Sequence, residues 1–165
     1  MTNIVNYLLI GNTRLHWAFN QDYSYEFRHT STNESFPKNI DFKKLIWASV
    51  GKYPTNNLLK QNQVTLKDIT LKNMPHFLGI DRALVCFAAL KIVKNKLSKN
   101  LLIVDLGTTV SMTKIDNQGN IVGGQLFPGF TTQLKSMEQN TKNLVFPKKI
   151  FIPNNKFEIS TMNAM

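Results

Sequence analysis

Two short segments of the chain share a pattern suited to holding phosphate. Leu8-Leu9-Ile10-Gly11-Asn12-Thr13 and Val104-Asp105-Leu106-Gly107-Thr108-Thr109 each run an apolar strand into Gly-polar-Thr, and a second strand follows. Glycine at such a turn reaches backbone conformations closed to other residues and lets a ligand approach closely. The residues after it offer N–H groups and hydroxyls to an anion. One copy alone is an ordinary hairpin turn, whereas two copies on opposite lobes could grip a polyphosphate between them. Asp105 adds a carboxylate at the end of an apolar strand, a costly position unless it holds a cation or receives hydrogen bonds. A third segment, Gly79-Ile80-Asp81-Arg82, opens a helix. Asp81 there is either a plain cap or the acceptor of a substrate hydroxyl proton. Arg82 is either a solvated first-turn residue or a holder of a substrate carboxylate. Six of the eight glycines fall in these segments or in Gly123-Gly124-Gln125-Leu126-Phe127-Pro128-Gly129. His16 and Trp17 read as packing residues, and His76 and Cys86 as structural or incidental.

The elements that must position these groups follow from hydrophobic patterning. Residues 5–10, 45–50 and 101–106 are largely apolar runs, broken only by Asn6, Ser49 and Asp105, that read as buried strands. Residues 15–19 and 23–27 are expected to continue the first sheet, with a loop over 29–39. Pro54 is placed to open a short helix through Lys60, and residues 64–71 alternate without declaring a type. The clearest helix spans 81–97, with Leu84, Val85, Ala88, Ala89, Ile92 and Val93 as its expected apolar face. Residues 110–115 and 121–127 make a strand meander about the turn 116–120, a helix follows over 130–140, and 147–156 reads as loop. Interleaved helices and strands imply an α/β or α+β architecture. The break between two lobes is expected within 72–79, giving an N-terminal lobe over 1–74 and a second over 75–165.

Composition narrows the function class. The chain has 165 residues, twenty Lys and Arg against ten Asp and Glu, and a formal charge of +10. A hydrophobic content of 42% excludes a disordered tail. Three of the cations are Arg (Arg14, Arg28 and Arg82) and the other seventeen are scattered Lys. Base readout and phosphate clamping favour Arg, so the charge suits an anionic small molecule better than nucleic acid. The sequence shows no signal peptide and no apolar run near the ~18 residues of a membrane span. A single cysteine excludes a disulfide framework and fits a reducing cytoplasm.

The motifs Gly11-Asn12-Thr13-Arg14, Gly79-Ile80-Asp81-Arg82, Asp105-Leu106-Gly107-Thr108-Thr109 and 123–129 occur in the order and spacing of type III pantothenate kinases, a family that includes proteins named Bvg accessory factors. Gly79 to Leu84 and Arg14 to Phe19 look most like its cyanobacterial members. The resemblance implies an actin-like, ribonuclease-H-like two-lobed α/β fold with ATP in the cleft. It implies transfer of the γ-phosphate of ATP to the primary hydroxyl of pantothenate, the first step of coenzyme A synthesis, by a homodimer using Mg²⁺ and a monovalent cation, K⁺ or NH₄⁺. Carried over position by position, Gly11, Asn12, Thr13 and Arg14 with Gly107 and Thr108 bind ATP. Asp105 accompanies the monovalent cation. Gly79, Ile80, Asp81, Arg82 and Thr161 contact pantothenate, and Asp81 accepts the proton. The resemblance departs at Leu9, where the family carries an aspartate that helps hold the divalent cation. It also implies a second lobe longer than the residues up to Met165 supply, with an open sheet edge or apolar patch as the consequence. The competing reading is a non-catalytic member that binds nucleotide or pantothenate, or serves in dimerisation.

Overall fold

A computed structural model describes residues 5–52, 58–93, 99–150, 159–161 and 165. It contains two sheets flanking one long helix. The first sheet holds β1 (Asn6–Ile10), β2 (Arg14–Gln21), β3 (Ser24–Ser31) and β4 (Leu45–Ser49) in the order β3-β2-β1-β4. β1 pairs antiparallel with β2 and parallel with β4. The second sheet is an antiparallel meander of β5 (Leu101–Leu106), β6 (Thr109–Ile115) and β7 (Ile121–Pro128). Helix α1 (Ile80–Val93) lies between the sheets, against β4 on one side and β5 and β6 on the other. Helix α2 (Phe130–Asn140) follows β7.

Period-two alternation sorts the first sheet into two faces. Leu8, Ile10, Leu15, Trp17, Leu45 and Trp47 are all buried in one cluster on one side. Leu9, His16 and Ala48 share the opposite side, which turns toward α1. The second cluster joins Ala48 and Ile69 from the first half of the chain to Ile80, Ala83, Cys86, Ile115 and Ile121 from the second. The core therefore crosses the expected boundary at 74/75, with α1 as the shared wall.

Several expectations are corrected. β3 continues to Ser31, into the segment read as loop, because β2 offers it partners as far as Arg14↔Ser31 and His16↔His29. The ladder supplies hydrogen bonds that local composition does not register. Residues 66–68, within the segment whose type the sequence leaves open, form a single 3₁₀ turn in which Thr65 and Asp68 cap each other. The buried stripe of α1 is Ile80, Ala83 and Cys86, while Ile92 is 84% exposed and Ala88 also faces out. A helix wedged between two sheets buries its first turns, where both sheets reach it. β5 alternates: Leu101, Ile103 and Asp105 turn inward, whereas Leu102, Val104 and Leu106 are exposed. The expected helix from Pro54 and the tail of the 81–97 helix fall partly outside the described residues, as does most of the 147–156 loop.

Candidate functional site at the meeting of two glycine turns

The β1–β2 turn and the β5–β6 turn lie at the same end of their sheets and meet. Thr13 Oγ1 and Thr108 Oγ1 are 2.8 Å apart, a hydrogen bond between residues 95 apart in sequence. Each turn closes with a backbone bond, Gly11 N–H to the Arg14 carbonyl at 2.9 Å and Gly107 N–H to the Thr109 carbonyl at 3.2 Å. Below them opens a cleft of about 530 Å³, lined by Gly11, Asn12 and Thr13 from the first turn and Gly107, Thr108 and Thr109 from the second. Asp105, Ser111, Gly79, Asp81 and Arg82 also line it. Three motifs distant in sequence thus share one cavity.

The start of α1 presents the acid and the base of that cavity. Gly79 accepts the Ala83 N–H at 3.0 Å, so the helix begins at Ile80 and Asp81 falls in its first turn. One Asp81 oxygen, Oδ1, accepts the Arg82 N–H at 2.8 Å. Arg82 reaches across to β6 and donates from Nη2 to Thr113 Oγ1 at 3.1 Å and from Nε at 3.4 Å. The described residues give Arg82 no ion-pair partner, so its remaining donors are free to meet an anion. Cys86, one face further along α1, has its thiol pushed up by burial, with Thr113 and Arg82 opposing, so it stays protonated at neutral pH.

The glycines of the 123–129 segment make room for these groups. A Cβ on Gly124 would fall on the Met112 carbonyl and lie 2.6 Å from Arg82 Nη2. A Cβ on Gly129 would fall on the Gly107 carbonyl and 2.8 Å from that of Thr108. Gly129 N–H and Thr132 Oγ1 both donate to the Thr108 carbonyl, at 2.8 and 2.9 Å, which ties the start of α2 to the second turn.

Not every expected residue arrives in the cleft. Ile80 is 8% exposed and belongs to the core, because the helix turn that aims Asp81 at the cavity aims its neighbour inward. Thr161 is exposed and absent from the cleft lining. Arg14 is exposed and lines an adjoining cavity of about 460 Å³ rather than the cleft itself. Conversely His16, read as a packing residue, lines both cavities. Its Nδ1 lies 3.0 Å from His29 Nδ1, so one nitrogen carries the hydrogen and the other accepts it, leaving Nε2 beside Gly11. Burial holds the His16 imidazole below its ordinary pKa; His29 and Arg14 push the same way, and Asp105 pulls it back. Thr131, Thr132 and Lys135 also line the adjoining cavity, and no local pattern marked them.

Among the described residues no three His, Cys, Asp or Glu side chains stand close enough to hold a metal by themselves. The cleft supplies the carboxylates of Asp81 and Asp105 and hydroxyls of Thr13, Thr108 and Ser111, while Leu9 contributes no oxygen. That sparse oxygen set fits a hard cation that keeps waters and binds mainly to a ligand's phosphates.

The sequence model of the family described as Type III pantothenate kinase matches residues 58–165. The chain belongs to the type III pantothenate kinase family. A type III pantothenate kinase of Thermosynechococcus vestitus is 29% identical over 96% of this chain and 63% of its own length. One from Nostoc sp. is 30% identical over 83% of this chain and 60% of its own length. The chain thus spans about three-fifths of the curated relatives it matches. A crystal structure of a conserved protein assigned to the Baf family of transcriptional activators, from Campylobacter jejuni, superposes with a TM-score of 0.60 at 18% identity, covering 97% of this chain and 71% of that one. That likeness concerns the fold. Family membership and topology together give the α/β, actin-like two-lobed architecture.

Proposed function

We propose that this chain transfers the γ-phosphate of ATP to the primary hydroxyl of pantothenate. The observation that supports it most is the meeting of the Gly11 and Gly107 turns over a cleft that also contains Asp81 and Arg82. In this reading the backbone N–H groups and hydroxyls of Asn12, Thr13 and Thr108 hold the transferring phosphate, and Arg82 meets the pantothenate carboxylate. Asp81 takes the hydroxyl proton as the substrate oxygen bonds to the γ-phosphorus. The bond from that phosphorus to the β,γ-bridging oxygen breaks, and ADP leaves with the electron pair. Mg²⁺, when bound, neutralises phosphate charge. Asp105, lining the same cleft, is the residue for the monovalent cation, K⁺ or NH₄⁺. The lobe division at 74/75, a role for Thr161, homodimerisation and a cytoplasmic setting belong to the same proposal. Among the described residues no helix is long and apolar enough to cross a membrane.

The test is a transfer assay with [γ-³²P]ATP, Mg²⁺, K⁺ and pantothenate. Labelled phosphopantothenate is expected, falling by about 10²–10⁴-fold in Asp81→Asn while ATP affinity holds. Leu9 supports a second reading, binding without turnover, because a hydrocarbon side chain replaces an oxygen ligand. That reading predicts nucleotide binding by wild type and turnover only in Leu9→Asp. Folded protein that is inactive with and without Leu9→Asp contradicts the kinase proposal.

A further inference from the structure

We infer that His16 and His29 form a two-imidazole seat for a first-row transition-metal dication such as Zn²⁺ or Cu²⁺, held between their Nδ1 atoms. The inference is independent of the phosphoryl-transfer reading and concerns a different ion from the hard cation that accompanies phosphate. Two of the chain's three histidines, thirteen residues apart, stand directly opposite each other on the β2–β3 ladder and so share one face of the sheet. Their Nδ1 atoms are 3.0 Å apart. The ring centres are farther apart, at 4.9 Å, with the planes at 71°, so both nitrogens face the gap. Two nitrogens bound to one ion at ~2.0–2.1 Å stand roughly 2.8–3.4 Å apart, for angles between a right angle and the tetrahedral one. The observed separation falls in that range with neither strand moved. The register beside the pair is pinned on the opposite face, where Trp17 Nε1 donates to Thr30 Oγ1 at 3.3 Å, and paired strands hold ligands more exactly than loops do.

The donor type selects the ion. Imidazole nitrogen suits Zn²⁺, Cu²⁺ and Ni²⁺, whereas Mg²⁺ and K⁺ seek oxygen. Metal binding needs the neutral ring, and burial holds His16 in that form at neutral pH. In the metal-free chain one hydrogen bridges the two Nδ1 atoms. The ion takes its place, and that hydrogen moves to the Nε2 of its own ring. Among the described residues no third His, Cys, Asp or Glu joins the pair, so water fills the remaining positions. The pair lines a cavity of about 250 Å³ together with Tyr7, Ala18 and Phe27, and His29 is exposed, which gives the hydrated ion its way in.

Calorimetric titration of the chain with ZnCl₂ and electron paramagnetic resonance of the Cu²⁺-loaded chain test this. A single equivalent of Zn²⁺ is expected to bind, and excess Mg²⁺ or K⁺ is expected not to displace it. The Cu²⁺ spectrum should show two coordinated imidazole nitrogens. His16→Gln and His29→Gln are each expected to lower Zn²⁺ affinity by about a hundredfold, the order of gain when a second contact becomes intramolecular, and to leave one imidazole nitrogen on Cu²⁺. His76→Gln, at an exposed histidine outside the pair, should leave both readouts unchanged. Absence of Zn²⁺ binding, binding that survives either substitution in the pair, or a wild-type Cu²⁺ spectrum with one imidazole overturns the inference. The kinase reading stands in each of those cases, since no residue proposed for transfer is altered.

Discussion

His16 carries the sharpest lesson at the scale of single residues. It pairs with Leu9 across the ladder and so shares the face that turns toward the cleft. An alternation reading treats such a side chain as packing, yet its ring contacts His29 and lines both chambers. Its lowered pKa has a measurable consequence. In the folded chain the neutral imidazole is favoured, so the unfolded state takes up its proton first. The stability this provides is full above the ordinary histidine value near 6.5 and is lost as pH falls through the lowered folded value. Glu26, Asp68 and Asp116 are held low by Arg28, by the Thr65 backbone and by Asn120 respectively, so their contributions persist to lower pH than an ordinary carboxylate's. The urea midpoint is therefore expected to drop between pH 7.5 and 5.5, and to drop less in His16→Gln. Equal drops would contradict the burial of a neutral His16.

At the scale of elements, the strand–turn–strand units and α1 do the positioning. Gly124 and Gly129 show why the 123–129 segment has its composition: β7 must pass flush against the Met112 carbonyl and the Arg82 guanidinium, and α2 must start flush against the second turn. Gly124→Ala is expected to cost about 1–3 kcal/mol, the usual penalty of overpacking, seen as a lower thermal midpoint. It should also weaken pantothenate more than ATP, since Arg82 is the group displaced. An unchanged midpoint would show that β7 gives way without strain. Much of this scale was legible beforehand. Both glycine turns, six of the seven strands to within a few residues and helix α2 announce themselves through local apolar runs and turn chemistry. The end of β3 did not, because its hydrogen bonds depend on the length of β2. The buried stripe of α1 did not, because two sheets, not one, decide which of its residues are covered. Ile80 was carried into the site by its motif, although motif residues adjacent on a helix face different ways.

At the scale of the molecule, among the described residues a shared core cluster and two adjoining cavities join the two halves. The cleft could be anticipated from the repeat of Gly-polar-Thr, since two anion-binding turns are useful only together. The adjoining cavity could not, because Arg14 and Lys135, which both line it, are separated by most of the chain. The second sheet keeps an outer face with Leu102, Val104, Leu106 and Phe127 exposed. The proposed chemistry requires the two turns to act on one ligand. A crystal structure of the chain with a non-hydrolysable ATP analogue and pantothenate tests that most directly. It should place the terminal phosphate within hydrogen-bond reach of backbone N–H groups from both the Gly11–Thr13 and the Gly107–Thr109 turns, with the pantothenate hydroxyl at Asp81. A nucleotide held by one turn alone, or bound outside the shared cleft, would contradict it.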